Sequence, residues 1–320
     1  MATTEKLYVV GVDVGGQTTK IGVVDRRGSI IAKTVINSKY GKDEGDLFMQ
    51  SLCNTIKELT EKIGLDKIHG VGIGAPNGNY YNGTIEDAAN IEWAKGRIIP
   101  LAKIISDGLF NIPVTVTNDA NAAAIGEMTY GAARGMKDFI MITLGTGVGS
   151  GIVIGGNLLY GHDGFAGELG HTCAVRHNGR QCGCGKKGCL ETYTSAIGVA
   201  RTACEWLDMT QEPSVLRDVQ NITSKDVYEA AKKGDKLAIK VFEFTGEKLG
   251  EAFADFVAFS APEAIILFGG LAKASEFILK PIEDTMNANL LSIWKGKINI
   301  VLSALKESDA AILGASALAW

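Results

Sequence analysis

Twice along this chain an apolar, β-branched run breaks at a glycine- and threonine-rich turn and then resumes. Residues 7–12 lead into Asp13-Val-Gly-Gly-Gln-Thr-Thr-Lys20, and residues 139–144 lead into Gly145-Thr-Gly-Val-Gly-Ser-Gly151. Short β-branched runs bounded by turn residues read as strands. Residues 20–24 and 29–36 extend the first run into a meander around Arg26-Arg27-Gly28, and residues 151–154 and 157–160 extend the second. Alternating helices and strands follow each meander. In the first half, the patterns predict a helix over 43–63, strands over 68–73 and 113–117, and a helix from Asn118-Asp119 to about Ala133. In the second, they predict helices over 193–207, 225–233 and 235–259, a strand over 264–268, a helix from Ala274, a strand over 298–302 and a helix over 308–319. This long-period repeat argues for two α/β domains facing each other across a cleft. No Pro/Gly/Ser-rich linker separates them, which predicts a short hinge.

Composition narrows the function classes. The chain has 320 residues, 46% hydrophobic and 21% charged, enough apolar material for two cores. Net charge is −4 with both signs dispersed, so no basic footprint for nucleic acid is present. No apolar run reaches membrane-spanning length, and residues 1–6 are too short and polar for a signal peptide. Six cysteines, mostly clustered, do not suit a disulfide framework in a chain this long, which points to a reducing cytoplasm.

The two glycine turns suit anions. Gly15 and Gly16 let backbone approach a phosphate closely, while Gln17, Thr18, Thr19 and Lys20 add donors. Asp13 can hold Mg²⁺ directly or through water. Gly145, Thr146 and Gly147 offer similar chemistry in the second half. Either loop alone reads equally well as a tight hairpin; one in each half favours a clamped polyphosphate. The Gly-x-x-x-x-Gly-Lys-Ser/Thr loop is absent, and the Gly-x-Gly-x-x-Gly at 183–188 falls among cysteines rather than between a strand and a helix. Gly269 and Gly270, after a buried strand, offer a resting place for adenine and ribose, or are simply a turn.

Asn118 and Asp119 follow a strand and open a helix. One of them is expected to cap it. The other is free to act as a carboxylate or amide in a site, and an Asp in a first helical turn is expected to stay ionised through the helix dipole. Phosphoryl transfer needs only weak base help, so such an Asp suffices to take a hydroxyl proton.

The densest chemistry lies between Glu168 and Glu191. His171, Cys182, Cys184 and Cys189 form a one-His, three-Cys set that suits tetrahedral zinc, and the alternative is buried thiols beside a core histidine. Cys53, Cys173 and Cys204 read as packed thiols, and Lys186 and Lys187 as solvated. Trp93 either borders a ligand or lies in the core.

Taken together, Asp13-x-Gly-Gly-x-Thr-x-Lys20, Asn118-Asp119-Ala-Asn-Ala, Glu168-x-x-His171 and Cys182-x-Cys-Gly-x-x-Gly-Cys189-x-Glu191 resemble the ROK family (repressors, open reading frames and kinases), above all its bacterial glucokinases. The resemblance runs in order over essentially the whole chain. It implies the two-domain actin-like, ribonuclease H-like ATPase fold, with a small domain over 1–118 plus 305–320 and a large one over 119–304. It implies Asp119 as catalytic base, with Asn90, Asn118, Glu168, His171 and Glu191 on the sugar hydroxyls and His171 binding zinc through its other ring nitrogen. ATP with Mg²⁺, a structural Zn²⁺ and a homodimer or dimer of dimers follow in the same way. The implied activity is ATP-dependent phosphorylation of a hexose, D-glucose first. Alternatives are N-acetylmannosamine, N-acetylglucosamine, fructose or allose, or a sugar-responsive regulator, which would carry a DNA-binding segment ahead of the first strand. Two departures stand out. Gln17 replaces the usual Thr, and Asn77 separates a Pro and Gly that most members place side by side.

Overall fold

The computed structural model describes residues 5–320; Met1–Thr4, part of the segment judged above for a signal peptide, lie outside the described residues. The chain forms two compact units: Met1–Met136 with Leu158–Gly167 and Ala304–Trp320, and Lys137–Asn157 with Glu168–Ser303. The boundary expected at 118/119 falls instead after helix 119–130, because that helix packs on the last helix of the chain, within the first unit.

In the first unit, β1 (Tyr8–Val14), β2 (Thr18–Asp25) and β3 (Ile30–Asn37) form the expected meander. Then come α1 (Gly45–Thr60), β4 (Ile68–Gly74), the short strands β5 (Gly78–Asn79), β6 (Thr84–Glu86) and β7 (Ile98–Ile99), α2 (Leu101–Gly108), β8 (Val114–Thr117) and α3 (Asp119–Tyr130). The sheet order is β3-β2-β1-β4-β8, with β4 and β8 parallel to β1. Residues 9–12 of β1 are all buried, as expected of a strand covered on both faces. On one face α1 packs Phe48, Leu52 and Ile56, which recur at helical spacing. Trp93 is a core residue, stacked on Phe48 with ring centroids 4.6 Å apart. On the other face lies the final helix, 307–317. A side chain at Gly72 would overlap the Ala315 carbonyl, so that helix rests on bare backbone.

The second unit repeats the plan. It contains β9 (Phe139–Leu144), β10 (Val148–Ile154), the start of β11 (Asn157–Leu158), α4 (Glu191–Thr194), α5 (Ala196–Met209), α6 (Ser224–Lys232), α7 (Lys236–Ser260), β12 (Ala264–Phe268), α8 (Ser275–Asn289) and β13 (Asn299–Leu302). The chain then returns to the first unit as α9 (Glu307–Ala317). The order β11-β10-β9-β12-β13, with β12 and β13 parallel to β9, matches the first sheet strand for strand. One large apolar core joins β9 and β12 to α5, α6, α7 and α8.

Local differences from the sequence reading have local causes. The helix expected over 193–207 is broken at Ser195, whose hydroxyl accepts from Gly198 N at 3.1 Å and caps α5. Strand β10 begins at Val148 rather than Gly151, since Val148 and Ser150 point inward in the alternation. Among the described residues no helix is long and apolar enough to cross a membrane.

Candidate active site

The first unit gathers Asp13, Gly15, Gly16, Lys20, Asn90, Asn118 and Asp119. Register sets Asp13 at the end of β1 opposite Lys20 of β2, with Nζ 3.9 Å from Oδ2. The turn between them closes with Gly15 N donating to the Thr18 carbonyl at 3.1 Å. A side chain on Gly16 would overlap the backbone oxygen of Asn90, so the bare turn seats Asn90 against it. Gln17 and Thr18 are exposed. Thr19 corrects the sequence reading. It lies one step along the strand alternation from Thr18, fully buried, with its hydroxyl 2.7 Å from Ser38 Oγ, so it braces the turn and is no phosphate donor.

Asn118 is the cap of α3: its Oδ1 accepts from Ala120 N at 2.7 Å and Asn121 N at 3.3 Å. Asp119 is thereby left free of capping, with one carboxylate oxygen 2.8 Å from Ala120 N. Asp119 is exposed by surface area, yet its carboxylate is closely ringed by protein, and that crowding is the burial that acts on it. Burial pushes its pKa up, against the pull of the Ala120 N–H. This environment does not favour the low pKa expected of a first-turn aspartate, because desolvation outweighs the backbone N–H donors. Asp13 is also raised, to about 6, first by burial and further by Asp119, with Lys20 opposing.

The second unit gathers His171, Cys182, Cys184 and Cys189, whose ligand atoms all lie within 4.8 Å of one another. His171 Nδ1 is 3.8 Å from Cys182 Sγ, and Cys184 Sγ is 3.7 Å from Cys189 Sγ. Tetrahedral zinc with bonds of about 2.0–2.3 Å separates its ligands by roughly 3.5–3.8 Å, which these spacings match. Burial, with help from Cys184 and Cys182, pushes the Cys189 thiol up to about 12, and burial raises Cys182 as well. Cys184 alone is lowered, burial being outweighed by the Lys186 N–H and the neighbouring thiols, so the set does not ionise fully without a cation and the donors fit a metal. His171 Nε2 faces the other way, 4.0 Å from Glu168 Oε2.

Glu191 joins this cluster to the second glycine turn. One carboxylate oxygen lies 3.7 Å from Cys182 Sγ, and the other accepts from Val148 N at 3.0 Å. A side chain on Gly147 would overlap that second oxygen and push the carboxylate off Val148 N. Gly145 closes the turn by donating to the Gly147 carbonyl at 3.0 Å, and Thr146 is exposed. Gly269, at φ +107°, abuts the Leu144 carbonyl, so the turn after β12 rests on the strand end that precedes Gly145. Beside Gly270 lies a cavity of about 410 Å³ bordered by Tyr228, Phe242 and Lys273.

The ROK family model matches residues 9–320. The chain is 40% identical over 291 residues to a glucokinase of Halalkalibacterium halodurans, covering 89% of this chain and 86% of that protein. It belongs to the ROK family. A crystal structure of a ROK family glucokinase from Streptomyces griseus in complex with glucose and AMPPNP superposes with a TM-score of 0.78 at 33% identity, over 97% of this chain and 98% of that one. A xylose repressor of Caldicellulosiruptor bescii is 30% identical over 97% of this chain and 77% of its own length, so kinases and regulators both stand among the relatives. Agreement with ROK kinase structures establishes the actin-like ATPase fold.

Several supports of this ROK site escape sequence reasoning. Arg180 is buried and donates to Glu205 Oε2 through Nε at 3.1 Å, to the Thr192 carbonyl at 2.8 Å and to Thr202 Oγ1 at 2.9 Å, while its guanidinium lies 4.5 Å from the Tyr193 ring centroid. It ties the cysteine loop to α4 and α5. Lys186 is not simply solvated: its Nζ donates to the His171 carbonyl at 2.8 Å. Tyr160 stacks on Tyr80 at 4.0 Å and bonds the Thr117 side chain, two residues before Asp119. Asn77, the departure noted above, holds a left-handed turn at φ +51° and donates to the Glu86 and Asp87 carbonyls. None of these partners is near in sequence, so no spacing signals them. Cys53 is buried as expected, but Cys173 and Cys204 are exposed, contrary to their reading as packed thiols.

Proposed function

We propose that this chain phosphorylates D-glucose at the 6-hydroxyl with ATP as donor, a reading supported by relatives named glucokinase and by a similar glucokinase solved with glucose and AMPPNP. The observation that carries the reading is Asp119: its neighbour Asn118 takes over the capping, and burial raises the carboxylate towards the range useful to a general base. Asp119 accepts the proton of the sugar 6-hydroxyl. That oxygen attacks the γ-phosphorus, the bond to the β-phosphate oxygen breaks, and ADP leaves. In the first unit, Gly15, Gly16, Gln17, Thr18 and Lys20 hold phosphate oxygens, Asp13 holds Mg²⁺, and Asn90 and the Asn118 amide orient sugar hydroxyls. Mg²⁺ supplies charge neutralisation at the transferring phosphates. In the second unit, Glu168, His171 Nε2 and Glu191 accept or donate to ring hydroxyls, while Gly145, Thr146 and Gly147 face phosphates. Gly269, Gly270 and the cavity beside them take the adenosine.

Zinc would be held by His171 Nδ1, Cys182, Cys184 and Cys189 and would act structurally, fixing His171 and Glu191 from behind. A cytoplasmic home, no nucleic-acid or membrane partner, and assembly as a homodimer or dimer of dimers complete the reading. The deciding experiment is a hexose panel with coupled detection of ADP. Turnover highest on glucose supports the proposal. A preference for N-acetylmannosamine, N-acetylglucosamine, fructose or allose reassigns the substrate, and no turnover on any sugar together with sequence-specific duplex DNA binding favours the regulator reading.

A further inference from the structure

Cys173 lies in a place that packing does not explain. It forms an isolated antiparallel bridge with Cys189, one of the four residues whose ligand atoms gather within 4.8 Å. The flanking hydrogen bonds run from Leu190 N to the Thr172 carbonyl at 2.9 Å and from Ala174 N to the Gly188 carbonyl at 2.8 Å. That pattern makes Cys173 and Cys189 a non-hydrogen-bonded pair, whose α-carbons in antiparallel ladders sit about 4.5 Å apart with side chains on one face. Disulfides span roughly 4.4–6.8 Å between α-carbons, so the spacing of such a pair falls within the disulfide range. Cys173 is exposed and Cys189 is fully buried, so an oxidant from solvent meets Cys173 first. Gly188, at φ +78°, packs bare backbone against the Val175 carbonyl and brings the Cys173 sulfur into van der Waals reach of the Cys189 strand.

We infer that Cys173 and Cys189 form a hydroperoxide-sensitive site that disassembles the metal knot. Resting on the zinc reading above, the chemistry runs in two steps. The Cys173 sulfur attacks the terminal peroxide oxygen, the O–O bond breaks, and one water (or alcohol) leaves with the thiol proton; Cys173 becomes a sulfenic acid. The Cys189 sulfur then attacks the Cys173 sulfur, the S–O bond breaks, and hydroxide leaves to be protonated as a second water. Two thiols have lost two electrons and the peroxide has gained them. The metal set has lost one of its four ligands, and His171 and Glu191 lose the frame that aims them. A thiol reductant reverses the oxidation, and zinc then rebinds.

Exposing the purified full-length chain to hydrogen peroxide tests this, with zinc release followed by a chromogenic chelator and disulfides mapped by mass spectrometry. The expected result is release of the bound zinc together with a Cys173–Cys189 disulfide, and release slowed about tenfold or more in Cys173→Ser, which retains its zinc and activity before oxidation. Dithiothreitol with added zinc restores the starting state. Release at an unchanged rate in Cys173→Ser, or a disulfide confined to Cys182, Cys184 and Cys189, overturns the inference. Metal content before peroxide separates the two ideas: a zinc-free active chain removes the metal reading, and the disulfide map still decides whether Cys173 and Cys189 pair.

Discussion

Asp119 and its neighbours show how single side chains divide the work at the start of α3. With the Asn118 amide oxygen satisfying the helix, Asp119 has a free oxygen to offer. Asp119→Asn is expected to lower kcat by about 10²–10⁴-fold, the usual contribution of a general base, while the KM for sugar stays within about twofold; steady-state kinetics on both substrates checks this, and unimpaired turnover removes the base assignment. Asp13 makes a prediction on stability. Its folded pKa of about 6 lies above the ordinary 3.8, so the folded chain holds this proton more tightly than the unfolded one. The group's contribution is therefore full below about pH 4, declines as pH rises to about 6, and is flat above, amounting to at most about 3 kcal/mol. In the absence of nucleotide and Mg²⁺, Asp13→Asn should melt higher than the parent chain, with the gap widening from about pH 4 to 6 and constant beyond. A gap that shrinks over that interval contradicts the raised pKa.

At the level of elements, what was legible in the sequence were features whose cause is local. The run at residues 7–12, the glycine turns, the Asn118 start of α3 and the apolar spacing of α1 each carry their own signal, and each element stands within a few residues of its expected place. The His171, Cys182, Cys184 and Cys189 cluster was equally legible, since three of its four ligands lie within eight residues. What was not legible depends on partners distant in the chain. Thr19 looks like a donor until Ser38 is placed beside it. Arg180 looks like a surface arginine until Glu205 and the end of α4 surround it. The two-residue strands β5 and β7 are too short for any period to show. The Arg180 anchor has a measurable worth. Arg180→Ala should lower the unfolding free energy by about 3 kcal/mol, because it strands a carboxylate and a carbonyl in partly buried surroundings, whereas Glu205→Gln should lower it by about 1, since the Glu205 side chain is 35% exposed to water. Urea denaturation of both variants tests the ranking.

On the scale of the whole molecule, the metal is the property to measure first. Elemental analysis should return about one zinc per chain, and a strong chelator should lower the melting temperature and abolish turnover together, with both restored by zinc. A metal-free preparation of full activity contradicts the structural role.

The return of α9 to the first unit bears on how the protein is made. Strand β4 waits, during synthesis, for a helix whose residues emerge more than two hundred positions later, and it is Ala315 and Leu318 of that segment that lie closest over Gly72. The second unit, formed of residues 137–157 and 168–303, has all its strands and helices translated before that helix exists. The nascent chain is thus expected to mature out of order, its later-made unit finishing first while the earlier-made unit stays open to chaperones until α9 clears the ribosome.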